Sequence, residues 1–337
     1  MRKIKIAQIG TSLCSHGTDI WNYINSQPEL FEVIGYAFPE NEREKYPERI
    51  TTFDPELEMT VDEILNNPEI EAVAIETEEM YLTKYALMAA RAGKHIHMEK
   101  PGSQNLQEFE ELIETVRQNG TVFHTGYMYR YNPAVVETLK EIKNGELGDI
   151  ISVDTAMSCT HSIEMRKHVG NFKGGMLFFL GCHLIDLIYT IKGMPEKIIP
   201  LSRASGLDGL NVEDFGMAVL EYESGVSVAQ TNDIEYGGFP CRHLRVVGSK
   251  KTVEIKPLEM FIGNNLMSSV KTVYSSLDWC DKGESCEFEP FGRYSNMLNS
   301  FAAMVRGEKT NPYTLDYELE LYKLILKCCG LPNTTTL

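Results

Sequence analysis

The sequence lacks three features that would each have pointed to a whole class of proteins. No apolar run approaches the ~18 residues of a membrane span, and the apolar start Ile4 to Ile9 is interrupted by Lys5 and Gln8. Basic residues are few: 32 against 48 acidic ones give a formal net charge of -16, which repels nucleic-acid phosphates and anionic lipids. We therefore expect a cytoplasmic protein with no signal peptide and with no membrane or nucleic-acid partner.

The third missing feature is a metal-binding arrangement of cysteines. The eight cysteines include no Cys-x-x-Cys pair, and no histidines cluster at zinc-finger spacing. Cys328 and Cys329 are adjacent in a helical pattern and point to different sides. In a reducing cytosol such cysteines stay thiols, so the sequence predicts neither a metal site nor a disulfide framework.

What is present indicates two domains. A length of 337 residues exceeds the ~150 of an average domain, and 43% apolar with 24% charged residues suffices for packed cores. In residues 1–126 short apolar runs alternate with helical spacing that ends at glycine. The predicted strands are Lys3 to Ile9, Phe31 to Phe38, Ala72 to Ile75, His95 to Glu99 and Val122 to Tyr127, and the predicted helices are Tyr81 to Ala92 and Leu106 to Asn119. This rhythm is typical of a doubly wound parallel sheet.

Residues 127–337 have a different pattern. A helix at Ala134 to Lys143 precedes runs that alternate at period two, such as Ile151, Val153, Thr155 and Met157, with turn signals between them. We predict an α+β domain with an open, mostly antiparallel sheet, a C-terminal helix at 315–329 and a frayed tail at 331–337. The fold class is therefore α/β followed by α+β.

The first strand ends in Gly10-Thr11-Ser12, where a dinucleotide-binding fold has Gly-x-Gly-x-x-Gly. Glycines there permit a tight turn and let backbone N–H groups approach a pyrophosphate at a helix N-terminus. Only Gly10 is in register, because Ser12 takes the second place and Gly17 lies further along. The loop predicts a cofactor site at Gly10, Thr11 and Ser12, with a purely structural turn as the alternative.

The second strand ends at Phe38, where such folds usually have an acidic residue for the ribose hydroxyls. Phe38 cannot accept those hydrogen bonds. Glu40 could replace that residue, or Arg43 could meet a 2′-phosphate, and either could instead be a solvated loop charge. Phe38 could also simply be buried at the strand end.

The fourth strand is followed by Glu99-Lys100-Pro101, at the edge where open α/β sheets bind ligands. A lysine there can contact a substrate hydroxyl and the nicotinamide ribose, whereas Pro101 restricts the backbone. A surface lysine after a strand is the structural alternative, and the surrounding decapeptide Ala92 to Pro101 argues against it.

With that decapeptide the chain resembles the Gfo/Idh/MocA family, the glucose-fructose oxidoreductases, inositol dehydrogenases and their relatives. The resemblance recurs along nearly the whole chain. It is carried further by Gly126 to Pro133, Gly145 to Ile150, Gly174 to Asp186, Val246 to Lys250, and Ser300-Phe301 with the C-terminal helix.

The resemblance implies a Rossmann domain that holds NAD or NADP, with Glu99 and Lys100 at the cofactor, and a C-terminal domain that covers a carbohydrate-like substrate. It implies that Lys100 and His183 are catalytic and act on the hydroxyl being oxidised. Hydride leaves a carbinol carbon more easily when the hydroxyl proton passes to a positioned base. We expect both side chains at one cavity, and a homodimer or homotetramer formed through the open sheet.

Several positions depart from the family pattern. The family usually has an aspartate four residues before that histidine, and here it is Phe179. Loss of one acid/base group can cost ~10²- to 10⁴-fold in rate. We expect Phe179 to make the substrate pocket more apolar, and Asp186 to pair structurally rather than replace the missing carboxylate.

Tyr127, Arg130 and Asn132 follow the first domain, where the resemblance places residues at the substrate cleft; a structural role is the alternative for each. His161, Lys167 and His168 lie in a polar stretch that is either a substrate loop or a solvated loop. The leading hypothesis is an NAD(P)-dependent oxidoreductase acting on a secondary hydroxyl of a sugar, cyclitol or glycoside. The alternatives are redox-assisted glycoside cleavage with a retained cofactor and a non-catalytic nucleotide or sugar sensor.

Overall fold

The computed structural model describes residues 2–263 and 266–332, so part of the predicted tail, residues 333–337, lies outside the described residues. The chain forms two compact units. Among the described residues, the first unit contains 2–127 and 294–320, and the second contains 128–293 and 321–332. The first unit therefore includes 27 residues from late in the chain, 294–320, and the predicted domain division into 1–126 and 127–337 stays a prediction.

The first unit is built on a five-stranded, fully parallel sheet in the order β2-β1-β3-β4-β5. Its strands are β1 (Ile4–Ile9), β2 (Phe31–Ala37), β3 (Ala72–Ile75), β4 (His95–Met98) and β5 (Phe123–Thr125). The central strand β3 is buried at every residue, as expected for a parallel sheet covered on both faces. The predicted doubly wound sheet is confirmed.

Helices connect these strands. They are α1 (Gly17–Ser26), α2 (Glu42–Lys45), α3 (Pro47–Ile50), α4 (Val61–Asn66), α5 (Glu79–Arg91) and α6 (Leu106–Asn119). Helix α6 begins where the Asn105 side chain accepts the N–H of Glu108, and it ends at Gly120 in the left-handed conformation (φ 64°). The α4 N-terminus is closed by a capping box between Thr60 and Glu63.

The second unit contains an eight-stranded mixed sheet in the order β15-β14-β11-β10-β6-β9-β8-β7, and a three-stranded sheet in the order β12-β13-β16. The strands are β6 (Ile150–Ala156), β7 (Lys197–Pro200), β8 (Phe215–Tyr222), β9 (Gly225–Asn232), β10 (His243–Gly248), β11 (Thr252–Ile255), β12 (Met260–Gly263), β13 (Leu266–Ser268), β14 (Val270–Tyr274), β15 (Glu284–Glu287) and β16 (Phe291–Gly292). Every neighbouring pair is antiparallel except β6 and β9, which run parallel. The prediction of an open, mostly antiparallel sheet is confirmed.

The remaining helices are α7 (Pro133–Lys143), α8 (Ile163–Val169), α9 (Met176–Phe179), α10 (Cys182–Lys192), α11 (Gly238–Cys241), α12 (Ser295–Val305) and α13 (Leu315–Cys328). Helix α10 packs against β6 and β9. Ala218 and Leu220 of β8 and Ala229 of β9 are buried, whereas their neighbours Val219 and Val228 are half-buried. Alternate positions thus divide the sheet into a packed face and a partly open face.

One detail of the predicted alternation differs. Val153 and Thr155 of β6 are fully buried, as a shared inward face requires, but Ile151 is 42% exposed.

Within the described residues, no helix combines the length and the apolar character needed to cross a membrane.

Candidate cofactor and catalytic sites

The loop after β1 requires glycine at two positions. Gly10 has φ 92°, and a Cβ there would lie 2.6 Å from the backbone N of Thr77. A Cβ at Gly17 would lie 3.0 Å from Cα of Thr11. Gly10 makes the tight turn and Gly17 lets α1 begin in close packing, two uses of glycine known from dinucleotide-binding loops. Gly17 lies two residues beyond the third glycine of the Gly-x-Gly-x-x-Gly pattern, so this loop is two residues longer than that pattern.

Two amides of this loop already have acceptors. The Thr11 N–H donates to Oε2 of Glu42 (2.8 Å), and the Ser12 N–H donates to the carbonyl of Glu76 (3.0 Å). Glu42 is fully buried, and in the described part of the chain its Oε1 has no hydrogen-bond partner. Burial raises the pKa of Glu42 to about 8, although the Thr11 hydrogen bond opposes the rise. Glu42 is therefore mostly a neutral acid at pH 7.

The backbone before α2 brings Glu42 to the loop. Glu40 and Asn41 both have positive φ, 57° and 59°, a conformation that costs a non-glycine residue about 1–3 kcal/mol unless its surroundings impose it. The Glu40 carboxylate is held by Nζ of Lys84 at 2.6 Å and the hydroxyl of Tyr85 at 2.7 Å.

These contacts bear on whether a dinucleotide fits. The Thr11 amide binds a carboxyl oxygen, so it is a donor suited to a phosphate oxygen, and the glycines give the required close backbone approach. The turn is therefore compatible with a dinucleotide, and the assignment of Gly10, Thr11 and Ser12 to its phosphates stays a prediction. A phosphate on the Thr11 amide would have to displace Glu42.

Phe38 lies in an aromatic cluster at the end of β2. Its ring centroid is 4.8 Å from that of Tyr36 and 5.0 Å from that of Phe53. The guanidinium of Arg43 lies 5.9 Å from the Phe38 centroid and forms an ion pair with Glu58. Both charged candidates for the ribose end, Glu40 and Arg43, thus have protein partners. The assignment of Phe38 to the cofactor site stays a prediction.

Lys100 is buried at the carboxyl edge of the parallel sheet. Glu99 follows β4 and its N–H donates to the carbonyl of Ile75, which aligns the ends of β3 and β4. Lys100 is 2% exposed, and its Nζ lies 3.7 Å from Oε1 of Glu99. A buried ammonium persists when a carboxylate compensates its charge. The surface-lysine alternative is therefore wrong.

Sequence reasoning missed a buried polar group beside this edge. Glu76 follows β3 and is fully buried; burial raises its pKa, and the nearby carboxylate of Glu99 adds to the rise. Nδ1 of His97 lies 2.8 Å from Nδ1 of His124, and burial lowers the pKa of His97 to about 3. His97 and His124 pair in adjacent strands, which only the strand register shows.

In the second unit His183 is the second residue of α10 and is 1% exposed. Its ring packs edge-on against Tyr129, with centroids 5.0 Å apart and an interplanar angle of 87°. The Tyr129 hydroxyl donates to Glu259, which also forms ion pairs with Arg242 and Arg293. This network fixes the ring against which the imidazole packs.

Arg130 and Asn132 make contacts of a structural kind. Arg130 is 4% exposed and binds Asp186 through Nε at 3.0 Å and a terminal nitrogen at 2.8 Å. Asn132 caps α7 by accepting the N–H of Ala134, and it donates to the carbonyl of Leu258. The structural pairing expected of Asp186 is present. Tyr127 is 2% exposed, and its substrate role, like those of Arg130 and Asn132, stays a prediction.

Phe179 is 6% exposed and contacts the ring of His161 edge-on at 5.9 Å between centroids. His161 lies near Cys159, whose Sγ is 3.3 Å from Nε2, and near Asp233, whose Oδ1 is 2.5 Å from Nδ1. Burial lowers the pKa of His161, but Asp233 and Cys159 outweigh that effect and raise it to about 9. In the sequence these residues form a Cys-x-His pair followed 72 residues later by an aspartate. No common metal-binding or catalytic motif has that spacing, so the sequence alone did not indicate the cluster.

The two predicted catalytic residues belong to different compact units, Lys100 to the first and His183 to the second. Each is described within its own unit. Their joint role in catalysis stays a prediction.

Two family models match this chain. Residues 4–127 match the GFO/IDH/MocA oxidoreductase family, NAD-binding Rossmann fold, and residues 136–254 match a GFO/IDH/MocA C-terminal domain. The family resemblance and the nicotinamide nucleotide, NAD or NADP, expected from the sequence are thereby confirmed.

Individual proteins are similar over most of the chain. A 1,5-anhydro-D-fructose reductase from Ensifer adhaerens is 24% identical over 257 residues, 74% of this chain and 73% of the relative. An aldose-aldose oxidoreductase from Caulobacter crescentus, solved with glycerol, aligns with a TM-score of 0.77 at 20% identity over 98% of both chains. A levoglucosan dehydrogenase solved with NADH and levoglucosan gives 0.76 at 17% identity, again over 98% of both chains.

Proposed function

Since the chain belongs to the Gfo/Idh/MocA family of oxidoreductases, we propose that it oxidises a secondary hydroxyl of a sugar, cyclitol or glycoside, with NAD or NADP as hydride acceptor. One observation carries the proposal. Lys100 follows β4 in the sequence Glu99-Lys100-Pro101 and is buried beside a carboxylate, instead of extending into solvent as a surface lysine does.

The substrate class is supported by the relatives. The Ensifer relative is named for an anhydro sugar, and the two solved structures are named for aldoses and for levoglucosan. These molecules share a ring with several secondary hydroxyls. A polyhydroxylated ring is therefore the class of substrate we propose.

The chain's own residues would handle the proton. NAD or NADP, when bound, accepts the hydride of the carbinol carbon. In our proposal an imidazole nitrogen of His183 takes the hydroxyl proton, and the ammonium of Lys100 stabilises the charge that develops on the oxygen. The Glu99 carboxylate lies 3.7 Å from the Lys100 ammonium, and the Tyr129 ring packs edge-on against the His183 ring.

Phe179 narrows the class of substrate that we propose. It is buried where relatives usually have an aspartate, so it contributes an apolar surface and no proton acceptor. We propose that the substrate has an apolar portion, such as an aglycone, against this ring.

We also propose a cytoplasmic homodimer or homotetramer that pairs through the partly open sheet face of Val219 and Val228.

The test is a panel of sugars, cyclitols and glycosides incubated with NAD⁺ or NADP⁺, followed by the absorbance of the reduced nicotinamide. Once a substrate is found, Lys100→Met and His183→Gln should each lower kcat/KM by ~10²-fold or more. If both groups act on one hydroxyl, kcat/KM of the double variant should fall by far less than the product of the two single-variant factors.

Lys94→Met is the matched control. Lys94 is also a buried lysine of the first unit, but its Nζ donates to the carbonyls of Asn67 and Ile70. Its replacement should lower stability and leave kcat/KM of the folded protein within about threefold. Product without reduced nicotinamide would favour redox-assisted glycoside cleavage, and ligand binding without turnover would favour a sensor.

A further inference from the structure

We propose that Cys159, His161 and Asp233 form a binding site for a transition-metal ion of zinc type, a site that the proposed oxidation does not use. One possible ligand atom from each residue lies within 4.8 Å of the other two. The cluster lies wholly in the second unit, so its geometry belongs to one compact body.

The backbone sets these three side chains in place. Cys159 and His161 are two residues apart on the segment after β6, and side chains at that spacing in extended chain share one face. The segment after β9 lies beside it, because the Cys159 N–H donates to the carbonyl of Asn232 at 3.0 Å and the His161 N–H to that of Asp233 at 3.1 Å. A further bridge pairs Thr160 with Ile234. These backbone contacts fix the two segments side by side and hold the three side chains close together.

The distances suit a tetrahedral ion after a small adjustment. Ligand bonds of about 2.0–2.3 Å to zinc place neighbouring ligand atoms about 3.3–3.6 Å apart. Sγ of Cys159 lies 3.7 Å from Nδ1 of His161, close to this spacing. Nδ1 lies 2.5 Å from Oδ1 of Asp233, so binding would have to widen that pair by roughly 0.8 Å.

A second observation points to a cation. Asp233 is fully buried, and in the part of the chain that the structure describes neither carboxylate oxygen takes part in a hydrogen bond of good geometry. A buried carboxylate without such bonds requires a nearby positive charge, which a protonated His161 supplies in the metal-free protein and a bound ion would supply in its place. In the bound state a thiolate and a carboxylate balance the two charges of a divalent ion, and His161 becomes a neutral ligand by giving up its proton.

The donor set selects the class of ion and leaves it accessible. Thiolate and imidazole favour zinc or cobalt over magnesium or calcium, which prefer oxygen ligands. Cys159 and His161 are only half-buried, so an ion can enter from solvent. Three protein ligands also leave a fourth position for water or for a group of a bound molecule, as in catalytic zinc sites.

The chain supplies its own control. Cys241 and His243 form a second Cys-x-His, and Nε2 of His243 lies 3.7 Å from Asp154. Cys241 is exposed, and among the described residues this trio does not bring its ligand atoms within 4.8 Å of one another. Cys241→Ser therefore removes the cysteine of a similar Cys-x-His motif whose ligand atoms are too far apart to share a metal ion.

The experiment is a titration of chelator-treated protein with Co²⁺, read by the thiolate-to-cobalt charge-transfer band, and with Zn²⁺, read by bound metal after gel filtration. We expect one ion per chain, loss of the band in Cys159→Ser and Asp233→Asn, and an unchanged band in Cys241→Ser. Absence of the band in wild type, or its persistence in Cys159→Ser, would overturn the proposal.

A second measurement needs no variant. Mass spectrometry of iodoacetamide-treated wild type should show Cys159 protected at least tenfold by one equivalent of Zn²⁺ and Cys241 unprotected. If zinc leaves the alkylation of Cys159 unchanged, the trio is not a metal site. Fast alkylation of Cys159 with and without zinc would instead identify a thiol activated by His161, and would equally refute the metal site.

Discussion

Replacing Glu42 by glutamine should change how stability depends on pH. Glutamine keeps a carbonyl oxygen for the Thr11 N–H, but it cannot ionise. The folded pKa of Glu42 is raised to about 8 from the ordinary 4.5, so the folded state favours the protonated acid. The contribution of Glu42 is therefore fully present below about pH 4.5 and is lost as the pH rises to about 8.

The size of the effect follows from this difference. Each pKa unit is worth about 1.4 kcal/mol, so complete ionisation of buried Glu42 lowers the free energy of unfolding by at most about 5 kcal/mol. At about pH 9, Glu42→Gln should be more stable than wild type by roughly 2–5 kcal/mol. At about pH 5 the two proteins should differ by less than roughly 1 kcal/mol, because wild-type Glu42 is then neutral in the folded state.

The assay is urea unfolding at a series of pH values, with Glu44→Gln as control, because Glu44 is exposed on the same short helix. The control should follow the wild-type curve. If the free energy of unfolding changed with pH in the same way for wild type and Glu42→Gln, the raised pKa of Glu42 would be refuted. The same variant should also bind NAD or NADP more tightly above about pH 8, because an anionic Glu42 competes with phosphate for the Thr11 amide.

Three further changes test particular contacts. Asp186→Ala should lower the free energy of unfolding by about 3–5 kcal/mol in urea titrations, since it leaves Arg130 buried without its carboxylate, and adding Arg130→Met should recover part of the loss. Gly10→Ala should cost at least ~2 kcal/mol by the same assay, because its φ is 92° and Thr77 is too close; a neutral result would mean that the turn can relax. Val219→Lys should shift the oligomer toward monomer in light scattering if the partly open sheet face pairs subunits, and a wild-type monomer at micromolar concentration would contradict that pairing.

The sequence predicted the fold class and many of the elements because the signals for them are local. Apolar runs followed by glycine-terminated helices predict several strands and helices at nearly their observed bounds, and the fourth strand places Lys100 at the carboxyl edge of the sheet. The motif order also carried the family. Local patterns likewise gave the period-two strands of the second unit.

What the sequence did not give depends on pairing between distant segments. Glu42 lies beside Thr11 because the two residues before it, Glu40 and Asn41, have left-handed backbone conformations. The sequence of this segment does not predict that turn. Asp233 meets His161 because the segments after β6 and β9 run side by side, a register set by tertiary packing.

The measurement that tests the central claim most directly is equilibrium binding of NAD⁺, NADH, NADP⁺ and NADPH to the purified protein, by calorimetry at about pH 7. Glu42 is then mostly protonated, so little anionic carboxylate competes with phosphate. An oxidoreductase of this family should bind at least one nicotinamide nucleotide with one site per chain, and Gly10→Ala, where it folds, should weaken that binding tenfold or more. Undetectable binding of all four at millimolar concentration, by folded wild-type protein, would contradict the account.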